Sequence, residues 1–488
     1  MVKKVTNYTI PANFKRQTDL HKVDSKYLIN IGATLDVPTS KLVIGNRGET
    51  IIAGGLPNFS AIVGPANNFK STIYKYMMLS AMNKILATNF TYFHENDTEG
   101  NIDQETMQRF ADIFENIIEN PITVPVGKDK DGEDIHLWSV SDRVDTGAEK
   151  FAETLDLFFK SMSKQKKVEY TAFKNIWGTD KGNPYMNYVP YFFGIDSLTY
   201  LKINTNMEAM AGIIMGDDDN MIAMRNGKYK DVLVEWLNIN LLKYNSYCML
   251  TAAYGENKDL KGKYEARPTR RLGHMGAADK LVGVPQSFDR LTKSAWAAAP
   301  AVPLTDNNGV PIYGDVGRSV EKNELNVVKL KQLRGKFGGS GITVSIVVSQ
   351  TKGVEPFLTE FYNIHKLYNM FGLYGNNTNY RLHLRPDVAL NRDKVVKALN
   401  NDELFKRAVN ITSELCQFKH FKPGVVADIW CEPDVLYEDL IKMGYKWDQL
   451  LDTRGWWAID QYNKNLKPFL SSIDLLKMRA GLYKPYWL

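Results

Sequence analysis

The chain has 488 residues, 44% of them hydrophobic and 24% charged, with a formal net charge of +6. That length suits two or three domains and that apolar content can fill a large core, so disorder is excluded as the default state. There is no run of 18 apolar residues, no apolar signal segment at the start, and no metal or disulfide spacing among Cys248, Cys416 and Cys431; a cytoplasmic chain without a membrane partner is expected, and the mild charge confines any nucleic-acid surface to a local patch.

Residues 1–38 are polar apart from Tyr27-Leu28-Ile29-Asn30-Ile31 and read as an arm, a possible oligomerisation segment. The apolar run Ala61-Ile62-Val63 then leads into Gly64-Pro65-Ala66-Asn67-Asn68-Phe69-Lys70-Ser71, and an amphipathic segment follows over 72–87, opened by Thr72. Strand, loop, helix is the context a phosphate-binding loop needs, because a helix N-terminus aims unpaired N–H groups and a positive dipole end at an anion. Lys70 would reach the β- and γ-phosphates and Ser71 would place its hydroxyl on Mg²⁺. The competing reading is an ordinary strand–helix turn with an exposed lysine. Phe69 stands where glycine is usual, so it must keep an ordinary backbone or accept strain at positive φ.

Phe90-Thr91-Tyr92-Phe93 reads as a second strand running into His94-Glu95-Asn96-Asp97, and 104–119 as a helix with Met107, Phe110, Ile113, Phe114 and Ile117 at helical spacing. Residues 121–190 form an elaborated connection that contains a helix over 147–164. Tyr191-Phe192-Phe193-Gly194-Ile195-Asp196-Ser197-Leu198 reads as a buried parallel strand ending in an acid, and Asp196 is placed to hold the Mg²⁺ shell at the C-terminal sheet edge. The loop and this strand together predict ATP or GTP binding.

Residues 202–228 are rich in methionine and glycine and carry Asp217-Asp218-Asp219. A helix is expected over 230–243, and a strand at Tyr247-Cys248-Met249-Leu250-Thr251-Ala252-Ala253. Beyond it lies a long basic, glycine-containing stretch with Lys258, Lys261, Lys263, Arg267, Arg270, Arg271 and Lys280. It is an electrostatic footprint for a phosphate backbone, against the plainer reading of a solvated loop. Val327-Val328-Lys329-Leu330-Lys331-Gln332-Leu333-Arg334 looks like an edge strand, Ile342-Thr343-Val344-Ser345-Ile346-Val347-Val348-Ser349 is a clear strand, and the chain from about 354 is mostly helical by pattern.

This order of elements resembles the RecA-type core. Within that family it is most similar to the UvsX-like phage recombinases, which share a loop of the form Gly-Pro-x-x-x-Phe-Lys-Ser with phenylalanine at the glycine position. The resemblance covers roughly residues 40–410, including Ile195-Asp196-Ser197-Leu198 and the sheet-closing Gly353-Val354-Glu355-Pro356-Phe357. It implies an α/β RecA-type P-loop ATPase core over 39–365, with a mostly parallel twisted sheet flanked by helices, an insertion near 121–190, and a mainly helical region over 366–488. It implies that Glu95, or Asp97 next, polarises the attacking water, and that DNA-binding loops lie near 203–228 and 255–285. It further implies that Lys329 and Lys331, with Arg334 nearby, reach a neighbouring subunit's ATP. The cofactors would be ATP and Mg²⁺. The partners would be single-stranded DNA, homologous duplex DNA and further copies in a helical filament, with a single-strand-binding protein and a loading mediator, in the host bacterial cytoplasm of a phage.

Two departures stand out. Thr251-Ala252-Ala253-Tyr254 lacks the polar residue expected to sense the γ-phosphate, and Asp217-Asp218-Asp219 would repel a phosphate backbone. The alternatives are a hexameric RecA-type replicative helicase, disfavoured by the short segment before the core, and a weakly catalytic structural ATP-binding protein.

Overall fold

The computed structural model describes residues 28–488 except 46, 67, 101, 103–104, 106–109, 112, 119–120, 129–131, 142–146, 171–184, 204–218, 257–271, 277–278, 315–323, 377 and 460–462. The expected arm up to residue 27, Asn67, most of both expected DNA-binding loops, and Lys258, Lys261, Lys263, Arg267, Arg270 and Arg271 lie outside the described residues.

Helix α1 (Ala33–Thr39) precedes a hairpin of β1 (Lys41–Ile44) and β2 (Thr50–Ala53). The core then runs β3 (Phe59–Gly64), α2 (Lys70–Leu86), β4 (Phe93–Asp97), β5 (Trp138–Val140), α3 (Ala148–Met162), β6 (Phe192–Asp196), α4 (Asp219–Lys243) and β7 (Tyr247–Glu256). It continues through β8 (Asp279–Leu281), α5 (Gln286–Leu291), β9 (Ser294–Ala298), β10 (Leu325–Gly335), β11 (Thr343–Ser349), β12 (Gly353–Val354) and α6 (Pro356–Tyr362). The main sheet has the spatial order β12-β11-β10-β9-β3-β7-β6-β4-β5. The strands from β9 through β5 are parallel to their neighbours. The β9–β10, β10–β11 and β11–β12 pairs, and the β7–β8 pair, are antiparallel. The fold is mixed α/β around a mostly parallel sheet, as the sequence predicts.

Period-two alternation distributes the strand side chains to two apolar layers. Phe192 and Ile62 face one side with Ile73, Tyr74, Met77 and Met78 of α2. Phe193, Ile195 and Val63 face the other, against Phe151, Leu155 and Phe159 of α3 and Leu233, Val234 and Leu237 of α4. Because both faces are covered, the central strands read as nearly continuous apolar runs.

One strand reads differently from its sequence expectation. The apolar Phe90-Thr91-Tyr92 precedes the second strand, which is the polar run Phe93–Asp97, buried at all five positions. The helix expected over 104–119 is helical at 105 and 110–111 and turns at 113 and 115–116; most of its first half lies outside the described residues. Helix α4 starts at Asp219, earlier than the expected 230.

Beyond α6, a three-stranded antiparallel sheet spans 373–390 and is followed by helices, of which α7 (Glu403–Phe421) is the longest and α8 (Ser472–Arg479) the last. One apolar cluster joins Val347 and Phe361 to Phe405 and Leu415 of α7 and Leu475 of α8. Asp474 completes a capping box with Ser471 and also accepts from the Thr50 N–H at 2.8 Å, which fastens α8 to the β1–β2 hairpin. Among the described residues no helix is long and apolar enough to cross a membrane.

Candidate active site

In a parallel sheet the strand ends that share an edge share a crevice. The register aligns Asp196 with Asp97 and Ala253 with Gly64, so the ends of β3, β4 and β6 lie on one edge, which β7 overruns by three residues to pair with β8. With β7 alone between β3 and β6, their ends stand about 10 Å apart, twice the strand spacing. That distance lets the loop after β3 and the acid ending β6 face one phosphate chain.

The loop after β3 is shaped by close contacts. A Cβ on Gly64 would lie 2.6 Å from the Ala298 carbonyl and 2.7 Å from Asn68 Nδ2, so only glycine fits. The buried Asn68 amide donates to Ala298 O at 2.7 Å and pins the loop to β9. Phe69 takes the left-handed conformation, φ 59° and ψ 20°. Such a backbone costs a bulky residue on the order of 1–3 kcal/mol. Packing of the Phe69 ring on the α2 apolar layer offsets that cost. Of the two outcomes open to a phenylalanine at a glycine position, the chain adopts positive φ.

Among the described residues no side chain caps the N-terminus of α2, so its first N–H groups face the loop. Lys70 Nζ donates to Pro65 O at 2.5 Å and to Asn68 Oδ1 at 3.4 Å, inside the loop. Burial lowers its pKa, while Glu99 and Asp196 draw it back up. A cavity of about 430 Å³ opens over this loop, lined by Ala66, Asn68, Phe69, Lys70, Ser71, Thr72, Glu99, Ser197, Tyr200, Ala252 and Ala253.

The two acids proposed to activate water are placed elsewhere. Glu95 is fully buried beneath the edge: its carboxylate accepts from Trp138 Nε1 at 3.1 Å and pairs with Lys75 Nζ at 3.3 Å. Lys75 also meets Asp196 Oδ2 at 3.3 Å, which makes a buried triad of one cation and two carboxylates. Burial raises the Glu95 carboxyl to about 7, against the pull of Lys75 and with the push of Asp196 and Asp97. For Lys75, burial opposes the charge, but the carboxylates prevail and its pKa is raised. Asp97 accepts from the Glu99, Gly100 and Ile102 N–H groups at 3.0, 2.8 and 3.1 Å and shapes the turn after β4. The acid that reaches the cavity is Glu99. Burial pushes its pKa up, Asp196 and Asp97 add to the push, and Lys70 opposes it.

Sequence reasoning missed Glu99 and Lys75. Ending the strand at Asp97 would have pointed to the next acid, Glu99. A lone lysine inside the apolar run Ile73-Tyr74-Lys75-Tyr76-Met77-Met78 is the signal for a buried partner.

A magnesium ion carried by a nucleotide takes hard oxygen donors and keeps several waters. Ser71 at the cavity wall and Asp196 at the end of β6 are such donors. Asp196 already accepts from Thr251 Oγ1 at 2.5 Å and from Lys75, so its remaining lone pairs suit a metal-bound water. Among the described residues no cluster of three or more His, Cys, Asp or Glu side chains is placed to hold a metal alone.

Lys329 and Lys331 are exposed and, by strand alternation, share a face. They line a cavity of about 1040 Å³ together with Pro65 and Ala66 of the loop and Ala298. Arg334 does not join them: its guanidinium donates to the Asp289 carbonyl, and to Arg290 O at 2.9 Å, at the end of α5. Lys280 is half-buried in β8, paired across from Gly255.

No family model matches the chain, and no curated protein matches it. Among solved structures, the RadB recombinase is similar over 62% of this chain and 92% of its own, at 13% identity and a TM-score of 0.30.

Proposed function

We propose that this chain is an ATP-driven recombinase of the RecA type that assembles on single-stranded DNA and promotes homologous pairing. The observation that carries the nucleotide half is the gathering of Lys70, Ser71 and Glu99 around one cavity, at the sheet edge where Asp196 ends β6. The DNA half rests on the basic residues of 255–285 and on the order of elements along the sequence.

In this reading the α2 N-terminus and Lys70 bind the β- and γ-phosphates, and Ser71 and Asp196 hold the Mg²⁺ shell. Magnesium, when bound, neutralises charge on the phosphate oxygens. Glu99, with its raised pKa, orients a water and takes its proton. Lys329 and Lys331 present two cations on an open face, where the phosphates of a neighbouring copy's nucleotide would meet them, as in-trans cations do in phosphoryl transfer. Arg334 is left out of that role because its guanidinium is committed to α5.

The deciding experiment is ATP hydrolysis with and without single-stranded DNA, joined to negative-stain imaging of the complex with a slowly hydrolysed analogue. Stimulated hydrolysis and helical filaments are expected. Rings would favour the helicase alternative, and neither stimulation nor assembly would overturn the recombinase reading.

Glu99→Gln is expected to bind ATP normally and to hydrolyse it about 10²- to 10⁴-fold more slowly, the range for losing a positioned general base. Glu95→Gln is expected to move the melting temperature far more than the rate. Fluorescent-nucleotide binding beside steady-state hydrolysis checks both. The reverse pattern would return the water-activating role to Glu95.

A further inference from the structure

Lys230, on α4, is a buried cation that the proposed reaction does not use; it is 6% exposed. Its Nζ donates to Leu198 O at 2.7 Å, Gly283 O at 3.0 Å and Thr199 O at 3.3 Å. An ammonium has three donors, and here three backbone carbonyls from two separate segments take them. Thr199 ties the same joint a second time. Its Oγ1 accepts from the Ala253 N–H at 2.9 Å and donates to Val282 O at 3.0 Å, while the Val282 N–H donates to Ala253 O at 3.2 Å. Gly283 sits at φ +66°, and a Cβ there would lie 2.8 Å from Thr199 O, so the two segments close only over a glycine.

The near side of this joint is the wall of the nucleotide cavity, made by Ser197, Tyr200, Ala252 and Ala253. Its far side is the base of both expected DNA-binding segments. Strands β7 and β8 bracket 257–271, and the turn that carries Leu198 and Thr199 leads through Leu201 and Ile203 to the start of 204–218. The cavity wall at Ala252 and Ala253 has no polar side chain to report the γ-phosphate. The joint supplies another route. A shift of the Ser197–Tyr200 turn moves the Leu198 and Thr199 carbonyls. The shared ammonium then either draws Gly283 along or loses a charge-assisted hydrogen bond in a buried place, and such bonds are about twice as strong as neutral ones.

We propose that Lys230 is a positioning residue which, with Thr199, couples the occupancy of the nucleotide cavity to the nucleic-acid-binding segments; this rests on the function proposed above. Coupling is reciprocal in binding, so one device sets both the effect of Mg-ATP on DNA affinity and the effect of DNA on ATP affinity.

The test uses the full-length protein with Mg-ATP, its slowly hydrolysed analogue and oligo(dT). Lys230→Met is expected to hydrolyse ATP without DNA at close to the wild-type rate. Its stimulation by oligo(dT), and the analogue-induced gain in oligo(dT) affinity, are each expected to fall about tenfold, within the usual range of allosteric coupling. Lys230→Arg keeps the charge and the donors and is expected to restore part of both. Thr199→Val removes the second tie without touching the buried charge, so it decides the matter if Lys230→Met does not fold. Wild-type stimulation and a wild-type affinity shift in the folded variants would overturn the inference. A wild-type protein that neither binds ATP nor responds to DNA would overturn the proposed function and this inference with it, and that failure shows without any variant.

Discussion

Lys70→Ala should lower ATP hydrolysis about a hundredfold to a thousandfold, the loss seen when one preorganised donor to a developing anion is removed. That corresponds to roughly 3–4 kcal/mol of transition-state stabilisation. The fold should survive. Among the described residues, Lys70 Nζ bonds only to groups of its own loop, Pro65 O and Asn68 Oδ1, and Asn68 keeps its tie to Ala298 without it. Burial holds the Lys70 pKa down, so the folded loop tolerates the charge rather than depending on it. Truncation should leave the melting temperature of the nucleotide-free protein unchanged or slightly higher. Nucleotide-induced stabilisation should shrink, because a ligand at free concentration c raises apparent stability by RT ln(1 + c/Kd), which falls as Kd rises. Hydrolysis at the wild-type rate would remove the phosphate-binding assignment. A large drop in melting temperature would show instead that the lysine holds the loop together.

The loop and the acid-tipped strand were legible because each is local. Apolar Ala61-Ile62-Val63, a Gly-Pro turn and a Lys-Ser pair lie within a few residues, and so do Phe192-Phe193-Gly194-Ile195 and Asp196. Strand β4 was harder to place. Its residues His94, Glu95, Asn96 and Asp97 are all polar, and their burial depends on partners from distant segments: Ser139 for His94, Lys75 and Trp138 for Glu95. Polar composition hides a buried strand, and with its end left open the sequence points to Glu95 and Asp97, while the acid that lines the cavity, Glu99, lies two residues beyond. Met221, Met224 and Gly227 look like a loop in the sequence, yet α4 is helical through all three. Lys230 left no signal at all, since its partners are backbone carbonyls and any residue type could supply them.

The buried triad of Lys75, Glu95 and Asp196 carries the largest expected effect on stability. Both carboxylates are almost wholly removed from water and share one ammonium, so neither could tolerate its loss. Lys75→Met should destabilise the protein by about 3–5 kcal/mol, the range for removing one partner of a buried pair. The variant should also show a steeper pH dependence. The folded-state pKa of Glu95, raised to about 7 from 4.5, means that the native state takes up a proton more readily than the unfolded chain. The resulting stabilisation is fully present below about pH 4.5 and is lost as the pH rises through about 7. Without the Lys75 charge, which holds that pKa down, the loss should extend to higher pH. Denaturant melts at pH 6 and pH 8 should therefore separate the variant from the wild type most at the higher value. Adding Glu95→Gln to Lys75→Met should recover part of the loss and flatten the pH dependence, because the amide needs no counter-charge and can still accept from Trp138 Nε1. A Lys75→Met protein within about 0.5 kcal/mol of the wild type at both pH values, the margin for surface substitutions, would show that the triad does not form. If the triad holds, the same variant frees Asp196 Oδ2 from its lysine, and any change in the Mg²⁺ dependence of nucleotide binding reads how far Lys75 sets that carboxylate.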